Sequence, residues 1–235
     1  MIYSITRSLI VNIIISVYQY HINDLLIQHW CQIELIKKIL GTYHKNFYQE
    51  INYRFNAITH ATITSILSSL YLIGMIGPEI ISTIFVNSMG YCIYDLYLLY
   101  STKHEDHLKT QFIVHHSMML IILFMNYSAQ ETHLTLIIKG LLAEWSTIFI
   151  NLSIIMYRIG LSNSQIFKLN SWITVFTFLG FRILLYPSII SQTFPISFFY
   201  GFLTIIFYLL NCVWFFKIVQ NHLRMVVNCK TKKFV

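Results

Sequence analysis

An all-α, polytopic transmembrane helical bundle of about seven spans is what this sequence predicts, and three observations predict it. Of its 235 residues 56% are hydrophobic and only 11% charged, where a soluble globule carries about a quarter charged residues. Apolar runs close to the ~20 residues needed to cross a ~30 Å hydrocarbon core recur along the chain. A segment inside hydrocarbon has to satisfy its own backbone N–H and C=O groups, so each run is expected to be a helix. The runs cover approximately 5–22, 57–77, 80–100, 111–127, 134–157, 170–190 and 196–216.

Taken in order, residues 1–22 form an N-terminal span or signal anchor. Arg7 precedes the apolar run as the basic flank of a signal sequence does, but no small-residue cleavage site follows it. Cleavage there would leave six helices in the same orientation. Residues 23–49 make a cytosolic segment that is amphipathic from Asp24 to Leu40; a helix lying along the membrane surface and a solvated linker helix are both open. Residues 50–220 hold the remaining six helices, and 221–235 a basic cytosolic tail. Pro78, Pro187 and Pro195 fall at span edges, where they end helices without opening backbone inside the membrane. No repeat, low-complexity run or Pro/Gly linker divides the chain.

Charge orients these spans. Of 16 Lys and Arg, all but Arg7, Lys139 and Arg182 fall before the second helix, in the 101–110 and 158–169 loops, or in the tail. With seven spans those regions share one side, which the positive-inside bias makes cytosolic, leaving the amino terminus lumenal. The net charge of +7 is therefore scattered over loops facing anionic lipid headgroups, and it forms no stripe for nucleic acid. Lys232 and Lys233 match the dilysine signal that returns membrane proteins to the endoplasmic reticulum, an address of the receptor-read kind. Cys31, Cys92, Cys212 and Cys229 have no metal or redox spacing; Cys229 is open to palmitoylation or to being a plain thiol. The sequons at Asn126 and Asn151 lie against or within the membrane and are expected to stay unmodified.

Candidate functional residues are the polar ones in the apolar helices, because ionisable groups in hydrocarbon are costly. At 1.5 Å of rise per residue, His60, Asp95, His115 and His116 all lie roughly 5–8 Å below the cytosolic interface and can share one site. His60, Thr64, Ser68 and Tyr71 follow one face of a helix, as do Asn87, Tyr91 and Asp95, and as do Gly140, Glu144, Thr147 and Asn151. Glu144 and Arg182 lie at equal depth near the bilayer middle and are natural ion-pair partners. Each reading has a structural counterpart: Glu144 with Arg182 as an architectural pair, His60 as a packing histidine, and Asp95 as the group that orients a histidine ring. No Gly-rich phosphate loop, nucleophile elbow or metal-binding histidine spacing is present, and neither metal nor cofactor is expected.

These residues resemble a known family. Tyr53-Arg54, Thr59-His60-Ala61, Gly90-Tyr91-Cys92-Ile93-Tyr94-Asp95-Leu96, His115-His116, Glu144-Trp145-Ser146-Thr147, Asn151-Leu152 and Phe181-Arg182-Ile183 together look like the TLC domain of ceramide synthases, translocating-chain-associating membrane proteins and TLC-domain lipid-homeostasis proteins. The resemblance covers about residues 50–220 and implies a six-helix core behind the N-terminal span, in an endoplasmic-reticulum-type membrane. By resemblance His115 and His116 match the histidines that serve acyl transfer in ceramide synthases. The paired aspartates that follow in those enzymes are absent; Leu141-Leu142-Ala143-Glu144-Trp145-Ser146 is closer to the non-synthase branch, although Ile148 stands where that branch often has proline. The resemblance thus implies lipid metabolism or homeostasis, with acyl lipid bound among the helices. The alternative is a ceramide synthase-like acyltransferase in which His115 or His116 is the base, Asp95 orients it, and acyl-CoA is the substrate. Membrane lipids are the expected partners and a second copy of the chain an admissible one.

Overall fold

The computed structural model describes residues 2–31, 45–101, 109–127 and 131–231. Helices make up most of the described residues, with no strand among them: α1 (Ile2–Cys31), α2 (Lys45–Leu72), α3 (Ile80–Ser101), α4 (Lys109–Asn126), α5 (Glu131–Leu141), α6 (Glu144–Arg158), α7 (Gln165–Phe178), α8 (Tyr186–Thr193) and α9 (Phe198–Thr231). A π-helical turn, Leu179–Leu184, joins α7 to α8. The segment expected at the membrane surface lies largely outside the described residues, as do the 101–110 loop for the most part and the dilysine tail.

By length and composition, four helical stretches are apolar enough to cross a membrane: Leu9–Leu26, His133–Arg158, Gln165–Thr193 and Phe198–Leu223. The runs expected at 57–77, 80–100 and 111–127 are also helices, but polar side chains dilute them. His60, Thr64, Ser65 and Ser68 on α2, Asn87, Ser88 and Asp95 on α3, and the two histidines of α4 lower their hydropathy while supplying the polar core described below. α1 also runs on past residue 22 to Cys31, since no proline or glycine stops it there.

Local chemistry explains the helix ends. α2 stops at Gly74, whose φ of +74° only glycine adopts without strain; Met75 N–H bonds Leu70 O and Gly74 N–H bonds Tyr71 O, a Schellman closure. Gly160, at φ +79°, closes α6 in the same way. Ser164 caps α7 by accepting the Phe167 N–H at 3.1 Å.

Two expectations are corrected here. The run read over 134–157 stands as one stretch of membrane-crossing length, His133–Arg158, but its α-helical bonding is interrupted at Leu142 and Ala143, where the hydrogen bonds tighten to Leu142→Lys139 and Ala143→Gly140. Pro187 is not at a span edge but inside the stretch Gln165–Thr193. Proline has no N–H to give the preceding turn, and the π turn just before it re-closes the backbone through Leu185 N–H to Gly180 O.

The chain divides into two compact units, Met1–Glu144 and Trp145–Val235. Within the first, α1 packs on α2 and α3, α3 on α4, and α2 on α5. The approach of α1 to α3 centres on Gly90, where an added Cβ would fall 2.2 Å from Ser16 Oγ and 2.5 Å from Ser16 Cβ. Gly90→Ala is therefore expected to cost about 1–3 kcal/mol by overpacking. Adding Ser16→Gly is expected to return part of that loss, because the remaining close contact is backbone at 3.2 Å. Thermal unfolding of the two single variants and the double variant in detergent checks this; additive effects would mean that the two positions do not meet.

Candidate functional site

α3 and α4 carry the centre of the first unit's polar core. Asp95 Oδ2 lies 2.6 Å from His116 Nδ1, with side chains 1% and 8% exposed. One helical turn above Asp95 on α3, Tyr91 is also buried, and its ring meets that of His116 edge-on with centroids 5.6 Å apart. His115, the next residue round α4, is buried beside it at 5.2 Å between ring centroids. The other face of the cluster comes from α2. The His60 ring stacks on Tyr91 at 4.2 Å with only 8° between the planes, and its Nε2 is 3.3 Å from Ser88 Oγ. Glu144, at the end of the unit, is buried and its carboxyl group acts electrostatically on His60, Tyr91 and Cys92, as does that of Asp95.

His60, Tyr91, Asp95, His115, His116 and Glu144 are thus brought together in one unit, from helices distant in sequence. What the arrangement can do follows from atoms. The contact is close but not aligned as a hydrogen bond; a carboxylate that does align with Nδ1 holds the imidazole hydrogen on that side and leaves the lone pair on Nε2, the form in which histidine accepts a proton. The same pair, left undisturbed, is a stable way to bury a carboxylate. No group of three or more His, Cys, Asp or Glu able to hold a metal ion occurs among the described residues.

Two further site residues, Asn151 and Arg182, belong to the second unit. Arg182 lies on the π turn, is 4% exposed, and donates three hydrogen bonds: Nε to Ser146 Oγ at 2.7 Å, Nη2 to Thr147 Oγ1 at 2.8 Å and Nη1 to Asn211 Oδ1 at 3.1 Å. The Phe178 ring lies 5.2 Å below its guanidinium carbon. One planar fork therefore ties α6 and α9 to the π turn, a geometry for which arginine is better suited than lysine. Asn151 donates to Thr147 O at 2.8 Å within its own helix. The expected pairing of Glu144 with Arg182 reaches across the boundary between the units, each of which is described by itself.

Sequence reasoning missed several members. Tyr20 of α1 is 1% exposed and donates to Asn87 Oδ1 at 2.7 Å, while its ring meets Tyr91 edge-on at 5.5 Å and stacks on Tyr94 at 6.1 Å. No local signal marks it, because its partners lie on another helix far along the chain. Asn211, the bond from Arg182 to Ser146 and the buried Ser171–His222 pair at 2.6 Å were likewise unseen.

The family model of the TLC domain matches residues 61–220, more than half of the chain. A search of the curated proteins finds none that matches. With α3, α4 and the Arg182 turn all inside the matched stretch, this chain belongs to the TLC domain family.

Proposed function

We propose that this protein serves membrane lipid metabolism or homeostasis, holding acyl lipid against the polar core of its first unit and thereby altering the lipid composition of its membrane. Family membership and the four helices of membrane-crossing length support the reading. The observation that carries it is the Asp95–His116 pair, buried at 2.6 Å on helices otherwise rich in apolar residues. Ionisable groups in such helices are costly and mark functional sites by default. The distribution of basic residues supports a lumenal amino terminus and a cytosolic carboxyl terminus, and the Lys232-Lys233 pair supports an endoplasmic reticulum membrane.

The same pair favours a second reading, acyl transfer. With Nδ1 engaged by Asp95, His116 Nε2 accepts the proton of an acceptor amine or hydroxyl as that group attacks the thioester carbonyl of acyl-CoA. The C–S bond breaks, the thiolate leaves, and His116 returns the proton to it. This step uses no metal.

Comparing lipidomes of cells with and without the protein, and with His116→Ala, tests both. A shift in phospholipid acyl pattern that His116→Ala abolishes is the expected result. New N-acyl or ester species, formed also by purified protein from labelled palmitoyl-CoA, would establish the second reading over the first. Unchanged lipids in every comparison would remove both.

A further inference from the structure

α1 is the least embedded of the four stretches of membrane-crossing length: 17% of Leu9–Leu26 is buried, against 22–33% in the other three. Its buried residues there are Leu9, Ser16 and Tyr20, which share one helical face, while Ile10, Ile14, Ile15 and Leu25 are each at least half exposed. In water that apolar surface would press the helix onto its neighbours. In a bilayer it does not, because acyl tails cover it as well as another helix would, and a helix is held instead by close packing and interhelical hydrogen bonds.

Both are concentrated in the one seam. Ser16 lies over Gly90 of α3, where there is no room for a Cβ. Tyr20 Oη donates to Asn87 Oδ1 of α3 at 2.7 Å, and Asn56 Nδ2 of α2 donates to Tyr20 O at 3.4 Å. The Tyr20 ring covers two tyrosines of α3, meeting Tyr91 edge-on at 5.5 Å and stacking on Tyr94 at 6.1 Å. Beneath it is the polar core, since Tyr91 is the ring on which His60 stacks at 4.2 Å and which His116 meets at 5.6 Å. With α1 seated, Tyr91 and Tyr94 are 5% and 3% exposed. A lipid that is to lie against this core from the side of α1 has to displace Tyr20.

We infer that α1 is a lateral gate, a helix that leaves α3 to admit a bilayer acyl chain to the seat it vacates, with the Tyr20–Asn87 bond as its latch. The seat suits that occupant. Gly90 gives a floor without a side chain, and the rings of Tyr91 and Tyr94 give apolar walls. Opening takes the donor from Asn87 Oδ1 but leaves the amide nitrogen bonded to Thr64 Oγ1 of α2 at 3.2 Å, so the vacated seat carries little unmet polarity. The inference rests on the lipid reading above and gives it a route of entry, through a helix outside the matched residues 61–220.

Photolabelling of the full-length protein tests this, in nanodiscs of phosphatidylcholine carrying diazirines at several depths along its acyl chains, with labelled tyrosines located by mass spectrometry. Tyr97 of α3, 65% exposed, is the open reference and Tyr186, 8% exposed, the closed one. The wild type is expected to label Tyr91 and Tyr94 above Tyr186 and below Tyr97. Tyr20→Phe keeps the ring and so leaves no hole, but removes the latch; it is expected to raise labelling of Tyr91 and Tyr94 about 3- to 15-fold, the population shift that one interhelical hydrogen bond gives. Ser16→Leu, which wedges α1 off Gly90, is expected to raise it as well. Wild-type labelling of Tyr91 and Tyr94 no higher than that of Tyr186 overturns the gate, and this readout needs no variant to fold. Unchanged labelling in Tyr20→Phe overturns the latch. The expected labelling with an unchanged cellular lipidome would sink the functional reading and leave the gate standing; a shifted lipidome with Tyr91 and Tyr94 unlabelled would do the reverse.

Discussion

His116→Ala is expected to abolish the effect of the protein on membrane lipids and to lower its stability by about 2–4 kcal/mol. The Asp95 carboxyl group is buried with the His116 ring 2.6 Å away, and a buried carboxylate stripped of a polar neighbour bears more of the cost of desolvation. Asp95→Asn separates the two consequences, since the amide keeps the shape and an oxygen for Nδ1–H but gives up the charge. A fold preserved in Asp95→Asn with acyl transfer slowed by about 10²–10⁴ would identify proton transfer, the range that a positioned base contributes. Lipid effects retained by both variants would reduce the pair to packing. Chemical denaturation of the purified protein and cellular lipidomics supply the two readouts.

Arg182→Ala is expected to be the most destabilising change in the second unit, at about 3–5 kcal/mol. It leaves Ser146 Oγ, Thr147 Oγ1 and Asn211 Oδ1 without their donor, and hydrogen bonds from charged groups contribute about 1.5–3 kcal/mol each. Arg182→Lys keeps the charge, yet a single ammonium does not reproduce a fork aimed at three oxygens, so it should recover only part of the loss. Thermal midpoints in detergent measure both. A shift for Arg182→Ala smaller than about 1 kcal/mol would mean that the guanidinium is not what ties α6 and α9 to the π turn.

How far the sequence foretold these sites depends on the range of the interaction. α3 was legible almost to the residue, because Pro78 and Lys103 bracket one unbroken apolar run. Counting residues inward from one end of each apolar run set His60, Asp95, His115 and His116 at one depth, since helical rise is fixed and needs no knowledge of neighbours. Contacts that depend on which helix sits beside which were invisible. Tyr20 looks like any aromatic residue near the end of an apolar run until α1 is seen lying against Gly90. The interruption at Leu142–Ala143 was hidden for a related reason: leucine and alanine are good helix formers, so local propensity argued for regular α-helical bonding where the bonds tighten to three residues back.

Arg182 also shows why a helical wheel fails over 165–193. A π turn takes in one residue more than an α turn, which rotates everything beyond it by about 100° relative to an uninterrupted helix at 3.6 residues per turn. Residues of α7 and α8 that share a stripe on paper therefore point in different directions, and their periodicities have to be drawn as two separate wheels with Leu179–Leu184 as the phase step between them.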